Sequence, residues 1–244
     1  MSRASIVGFC VVAAVAGSAV AAATAAAEPE FVTKAVVGEA VSKVPFSGTI
    51  GATFFEGQKS RTKVTCANQA GQGSGITGEV TGPKSLGKLV ITYTNCLSGE
   101  CAVHTAGKPE GVVESRALAG KLGEVAPGMP GIKLFSEEEG KGGTVVAAEV
   151  CAGIAKVIWK GEVTGSLSGA AGEGPETGKL LSSFKLTFAE SAGVQKYKGF
   201  TEGPEEGILG QLEQVVNGSP ELSGWSSIDT LKTVPSTWGL GVTK

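Results

Sequence analysis

Apolar and polar residues alternate with a period of two along much of the chain. Ile76, Gly78 and Val80 oppose Thr77, Glu79 and Thr81, and Leu89, Ile91 and Tyr93 oppose Val90, Thr92 and Thr94. The longest run sets Trp159, Gly161, Val163, Gly165 and Leu167 against Lys160, Glu162, Thr164, Ser166 and Ser168. Phe184, Leu186 and Phe188 likewise oppose Ser183, Lys185 and Thr187. Because successive side chains of a strand point to opposite faces, each run reads as a strand with one buried face. The pattern predicts strands at about 46–55, 60–67, 74–81, 87–95, 111–118, 131–136, 143–151, 156–167, 179–189 and 222–231, with glycine-rich turns between them. Only Ile208, Leu209, Leu212, Val215 and Val216 have helical spacing, and Gly210 interrupts them.

Burial on one face implies antiparallel sheets, and parallel strands would need long crossovers, usually helical, that this pattern does not offer. The expected fold is therefore all-β: an antiparallel meander closed into a barrel or packed as a sandwich. Closure would remove exposed edges. One β-rich domain is expected over residues 45–244, after a patternless lead-in at 28–44. The pentapeptide GEVTG occurs twice, at Gly78–Gly82 and at Gly161–Gly165, preceded by Cys66 and Cys151 and followed by Gly87-Lys88-Leu89 and Gly178-Lys179-Leu180. That common order suggests an internal duplication with halves at 45–120 and 130–216. Alternation places Val163 in the core and turns Glu79 and Glu162 to the opposite face, expected to be solvated.

The first 27 residues change the picture of compartment. Arg3, the apolar run from Ile6 to Val20 and Ala25-Ala26-Ala27 before Glu28-Pro29 together read as a secretory signal peptide, with an uncleaved anchor as the competing reading. Cys10 belongs to this segment. No later run approaches the ~18 apolar residues of a membrane-spanning helix, so the mature chain is expected not to insert in a membrane. An outer-membrane barrel fits poorly, since aromatic residues make up only 6% and form no visible girdles. The net charge is −2, and Arg61 and Arg116 are the arginines left after Arg3. Nucleic-acid binding and a polybasic membrane patch are therefore not expected. In an exported chain the remaining Cys66, Cys96, Cys101 and Cys151 read as two disulfides with three possible connectivities. The tight loop Cys96-Leu97-Ser98-Gly99-Glu100-Cys101 favours Cys96–Cys101, leaving Cys66–Cys151. A zinc site would need closer cysteine pairs or more histidine than His104 alone.

Phe46-Ser47-Gly48-Thr49, Cys66, Gly75-Ile76-Thr77-Gly78, Val90-Ile91-Thr92-Tyr93-Thr94-Asn95-Cys96, Cys101, Cys151 and the strand containing Phe188 form an ordered series. In this the chain resembles a group of exported, Gly/Thr-rich bacterial proteins without assigned function. The resemblance implies an extracytoplasmic β-rich protein and carries no active site.

Candidate chemistry is sparse. Gly73-Ser74-Gly75-Ile76-Thr77-Gly78 matches the G-x-G-x-x-G string, but a strand and turn follow where a dinucleotide site needs a helix N-terminus. His104 and Asp229 are the only histidine and aspartate, no nucleophile elbow is present, and His104 reads as an exposed loop residue. A single aspartate also removes most calcium loops. Glu137-Glu138-Glu139, Glu205-Glu206 and Asn217-Gly218-Ser219-Pro220 read as solvated turns. The one sharp enzyme hypothesis pairs Glu79 with Glu162 as glycoside-hydrolysing carboxylates, which would have to lie ~5–9.5 Å apart. Against it stands the shortage of aromatic residues beside them. The primary expectation is a non-enzymatic exported β-domain, binding or structural, with no cofactor or metal. A second reading is a carrier that holds a small apolar ligand in a lumen lined by Trp159, Val163, Leu167, Phe184 and Phe188.

Overall fold

The computed structural model describes residues 29–33, 43–69, 71–169, 171–172, 180–201, 210–233 and 238–242. The signal-peptide segment, Glu205-Glu206 and the first half of the candidate helix lie outside them. The strands are β1 (Pro29–Thr33), β2 (Val44–Ile50), β3 (Thr53–Gly57), β4 (Lys63–Cys66), β5 (Gly75–Gly82), β6 (Ser85–Tyr93), β7 (Cys96–Ser98), β8 (Cys101–His104), β9 (Val113–Glu114) and β10 (Leu118–Ala126). They continue with β11 (Met129–Ser136), β12 (Thr144–Val150), β13 (Ala155–Gly169), β14 (Ser183–Phe188), β15 (Glu190–Ser191), β16 (Val194–Gln195), β17 (Leu212–Val216), β18 (Ser219–Thr233) and β19 (Trp238–Val242). The all-β class stands, and every strand pairing is antiparallel.

The pairings arrange the strands in eight columns that follow the chain. β2 and β3 form the first column, β4 and β5 the second, and β6 and β7 the third. β8, β9 and β10 make the fourth, β11 and β12 the fifth, and β13 the sixth. β14 and β17 make the seventh and β18 the eighth, which pairs with the first through Asp229↔Ile50 and Trp225↔Phe55. The hydrogen-bonded circuit thus returns to its start, and its columns satisfy each other's backbone groups where an open sheet would leave two edges. The two unbroken columns, β13 and β18, are 15 residues each and run the length of the circuit.

Alternation correctly selected the inner face. Ile76, Val80, Leu89, Ile91, Tyr93, Trp159, Val163, Leu167, Phe184, Leu186 and Phe188 all belong to one buried core. At its centre Phe188 stacks on Trp225 at 4.4 Å, while Phe55 meets Trp159, Trp225 and Tyr93 at 4.7, 5.3 and 5.5 Å. At one end β1 pairs with β19, and Leu181 pairs with Leu240. The Phe31 N–H donates to the Pro83 carbonyl at 2.7 Å, holding this ribbon on the turn between β5 and β6.

Four expectations change. Leu212–Val216 is a strand, not helix, because it completes the seventh column between β13 and β18. The lead-in at 28–44 contains β1, whose partner β19 lies about as far along the chain as the sequence allows and leaves no local signal. The expected strand at 111–118 is reduced to Val113–Glu114, with β10 beginning only at Leu118. The disulfides join Cys66 to Cys96 and Cys101 to Cys151, with Cα separations of 4.0 and 4.9 Å, not Cys96 to Cys101 and Cys66 to Cys151. Register explains the pairing. Cys66 lies directly opposite Cys96 between β4 and β7, whereas the hairpin after Cys96 opposes Cys101 to Ser98. Cys101 then faces its other neighbour, where the Cys151 N–H bonds the Ala102 carbonyl.

Candidate functional site

The two glutamates of the repeated pentapeptide do not meet. Glu79 lies on the second column and Glu162 on the sixth. A carboxylate oxygen of Glu79 is 3.1 Å from Lys88 Nζ on the neighbouring strand, and this pair is largely open to solvent. The solvated expectation fails for Glu162, which is buried and 3.9 Å from the equally buried Lys133 Nζ. Its orientation follows the alternation: it points out of the circuit, on the face opposite Trp159 and Val163. That outer face is covered. Residues 189–201 and 210–211 fold back over β13, β11 and β10, laying the Phe200 ring 5.1 Å from Lys133 Nζ and bonding the Thr201 N–H to the Glu124 carbonyl. Gly210 rests on Glu162 so closely that an added Cβ would stand 2.5 Å from its carboxylate.

The covering segment leaves from a break in the seventh column, between β14 and β17. There the Gln195 side chain replaces a strand residue. Its Nε2 donates to the Thr164 carbonyl on β13 at 3.3 Å, and its Oε1 accepts from the Trp225 N–H on β18 at 2.9 Å. One side-chain amide thereby bonds a backbone group on each neighbouring column, beside the isolated bridge between Thr164 and Tyr197.

Asp229 occupies the inner face of β18 beside the bulge that separates β2 from β3. Burial pushes its pKa up to about 7, opposed by hydrogen bonds from the Ser227 hydroxyl and the Gly51 N–H. Ser227 Oγ donates to Asp229 Oδ2 at 3.1 Å. Burial first, and then the charge of Asp229, hold the Tyr93 hydroxyl well above its ordinary pKa. The aspartate is thus a core group bound to a serine, with no triad around it. Trp159, Val163, Leu167, Phe184 and Phe188, the lining expected for a ligand lumen, lie in the packed core, with Phe188 and Trp159 in ring contact with neighbours.

His104 is not an exposed loop residue. It ends β8, its side chain is 15% exposed, and its Nε2 lies 3.7 Å from a carboxylate oxygen of Glu149. Beside that pair the fourth column is broken between β8 and β9, as the seventh is between β14 and β17. An open groove of about 290 Å³ remains, with Thr105, Lys108, Glu114, Arg116, Glu149 and Lys156 among its lining residues. Its walls are tied down. The Thr105 hydroxyl donates to the Glu114 carbonyl at 3.2 Å and accepts from the Glu114 N–H at 2.9 Å, and the Arg116 N–H bonds the Val145 carbonyl at 2.8 Å. Lys108 Nζ is 2.8 Å from a Glu114 carboxylate oxygen. Sequence reading did not single out Arg116, Lys156, Glu114 or Glu149, which come from the fourth, fifth and sixth columns. The one available signal was the rarity of arginine. Among the described residues no cluster of three or more His, Cys, Asp or Glu side chains is placed to hold a metal ion.

Fold and surface together define a disulfide-stapled, antiparallel all-β protein with a charged groove at a break in its circuit. No family model, curated protein or solved structure matches the chain.

Proposed function

We propose that this is an exported β-domain that acts by binding, or as a structural part of the cell surface, without turning over a substrate. The observation that carries this reading is the dispersal of its reactive side chains. Glu79, Glu162, His104 and Asp229 each have a different partner, namely Lys88, Lys133, Glu149 and Ser227. General acid–base or nucleophilic catalysis requires such groups to converge within hydrogen-bonding reach of one reacting centre. The two disulfides fit an extracytoplasmic location, where such bonds persist. Among the described residues no helix is long and apolar enough to cross a membrane.

The test has two parts. N-terminal sequencing of the exported protein is expected to begin at Glu28, and the purified oxidised chain is expected to show no turnover on a panel of glycoside, ester and peptide substrates. A hydrolytic activity that one side-chain substitution abolishes would overturn the reading.

A further inference from the structure

The groove beside β12 carries three cationic side chains, Lys108, Arg116 and Lys156, and two carboxylates, Glu114 and Glu149. Glu114 is engaged, accepting from Lys108 Nζ at 2.8 Å and from Thr92 Oγ1 at 3.3 Å. Glu149 lies 3.7 Å from His104 Nε2, an ion pair only when the histidine is protonated, and stands opposite Lys156 in the β12–β13 register. Arg116 and Lys156 are exposed, and neither has an ion-pair partner among the described residues. The contrast with Arg61 is direct, since its guanidinium is bound to Glu56 at 2.8 Å. Hydrogen bonds from the main chain anchor the backbone of both residues at the groove: the Arg116 N–H to the Val145 carbonyl, and the Lys156 N–H to Asn217 Oδ1 at 3.1 Å. The floor between them is made of small residues, including Ala147 and Ala148, with no aromatic ring on which a sugar or base could stack.

From this arrangement we infer that the groove is a binding site for an oxyanion, a phosphate or carboxylate group carried on a slim ligand, with Arg116 as its principal contact and Lys156 as the second. This rests on the binding reading above and names the chemistry that reading left open. A guanidinium presents paired N–H donors in a planar fork that matches two oxygens of a carboxylate or phosphate, whereas an ammonium acts as a compact point charge. The committed Lys108–Glu114 pair borders the site, and Arg116 and Lys156 outnumber the remaining carboxylate, Glu149. A small-residue floor admits a chain or a single charged group and offers little to a broad aromatic ligand.

Calorimetric titration of the full oxidised chain at low ionic strength tests this with three probes: inorganic phosphate, glucose 1-phosphate and glucuronate. At least one is expected to bind saturably at one site per chain. R116Q should weaken that binding by about tenfold or more, K156Q by less, and R116K by an intermediate amount, because it keeps the charge but loses the fork. K232Q, a substitution of an exposed lysine on β18, should leave it unchanged. Tighter binding of the two phosphates would assign the site to a phosphoryl group, and tighter binding of glucuronate to a carboxylate. Absence of saturable binding by all three, or equal affinity in the wild type and R116Q, would overturn the inference. Because Arg116 is exposed, circular dichroism of R116Q should be unaltered, which separates lost recognition from lost folding. Failure here would leave the non-enzymatic reading intact, since that reading falls only to a substrate turnover assay.

Discussion

The two copies of GEVTG have the same five residues and opposite surroundings. In the first, Glu79 lies partly exposed on the outer face of β5, beside the exposed Lys88 across the ladder. In the second, Glu162 has the same outward orientation on β13 but lies under residues 189–201 and 210–211, buried with Lys133. Strand geometry decides which way a side chain points. Whether that direction leads to water depends on what else the chain lays over it, and here the cover begins some 25 residues further along.

The comparison can be broken at several points, and the largest effect is expected at Glu162. Removing one partner of a buried ion pair leaves an uncompensated charge and typically costs about 3–5 kcal/mol. E162Q should therefore lower stability in denaturant melts by that order, and E162Q combined with K133M should recover much of the loss. If E162Q melts like the wild type, the cover over β13 is not closed in solution.

A third carboxylate sharpens the contrast, because Asp229 is buried with a serine partner and, among the described residues, no cation. In the folded chain it keeps its proton up to about pH 7, whereas an unfolded aspartate releases it near about 3.9. Between those values the folded state binds more protons, so stability should fall as pH rises through this window and level off above it. The fall should be on the order of a few kcal/mol, and D229N should abolish it. Denaturant melts at about pH 4.5 and pH 7.5 measure this; a wild-type slope that survives in D229N would assign the titration to another group.

The cover itself can be loosened at Gln195. Q195A removes the acceptor of the buried Trp225 N–H, and an unsatisfied buried group costs about 1–3 kcal/mol. Hydrogen exchange should then speed up at Trp225 and at the amides of residues 162–164, while the Glu79 region keeps its protection. The smallest effect is expected at Glu79, where E79Q should change stability by no more than about 0.5 kcal/mol, as usual for an exposed pair. A loss comparable to that of E162Q would show the two copies to be equivalent after all.

Much of the scaffold was legible because its signals are local. The alternation of Leu89, Ile91 and Tyr93, or of Phe184, Leu186 and Phe188, is a direct consequence of strand geometry and identified core residues without reference to the rest of the chain. Leu212, Val215 and Val216 misled because a five-residue strand buried between two columns carries too few residues to separate a period of 2 from one of 3.6. The cysteines misled for a different reason. Proximity in sequence suggested Cys96–Cys101, but cross-strand register opposes Cys96 to Cys66. The groove was the least legible feature, since Lys108, Arg116, Glu149 and Lys156 come together only once the fourth, fifth and sixth columns are paired.

By itself, then, the sequence determined the all-β class, the turns, the inward-facing residues and the outward direction of Glu79 and Glu162. Each of these depends on backbone geometry over a few residues. Tertiary structure alone decided that the eighth column closes on the first, that the cysteines pair as 66 with 96 and 101 with 151, and that Glu162 lies under a cover while Glu79 does not. It also decided that Arg116 and Lys156 share a groove. All of these are contacts between residues far apart in the chain, fixed by the cooperative burial of apolar surface and the pairing of backbone groups, and no local pattern encodes them.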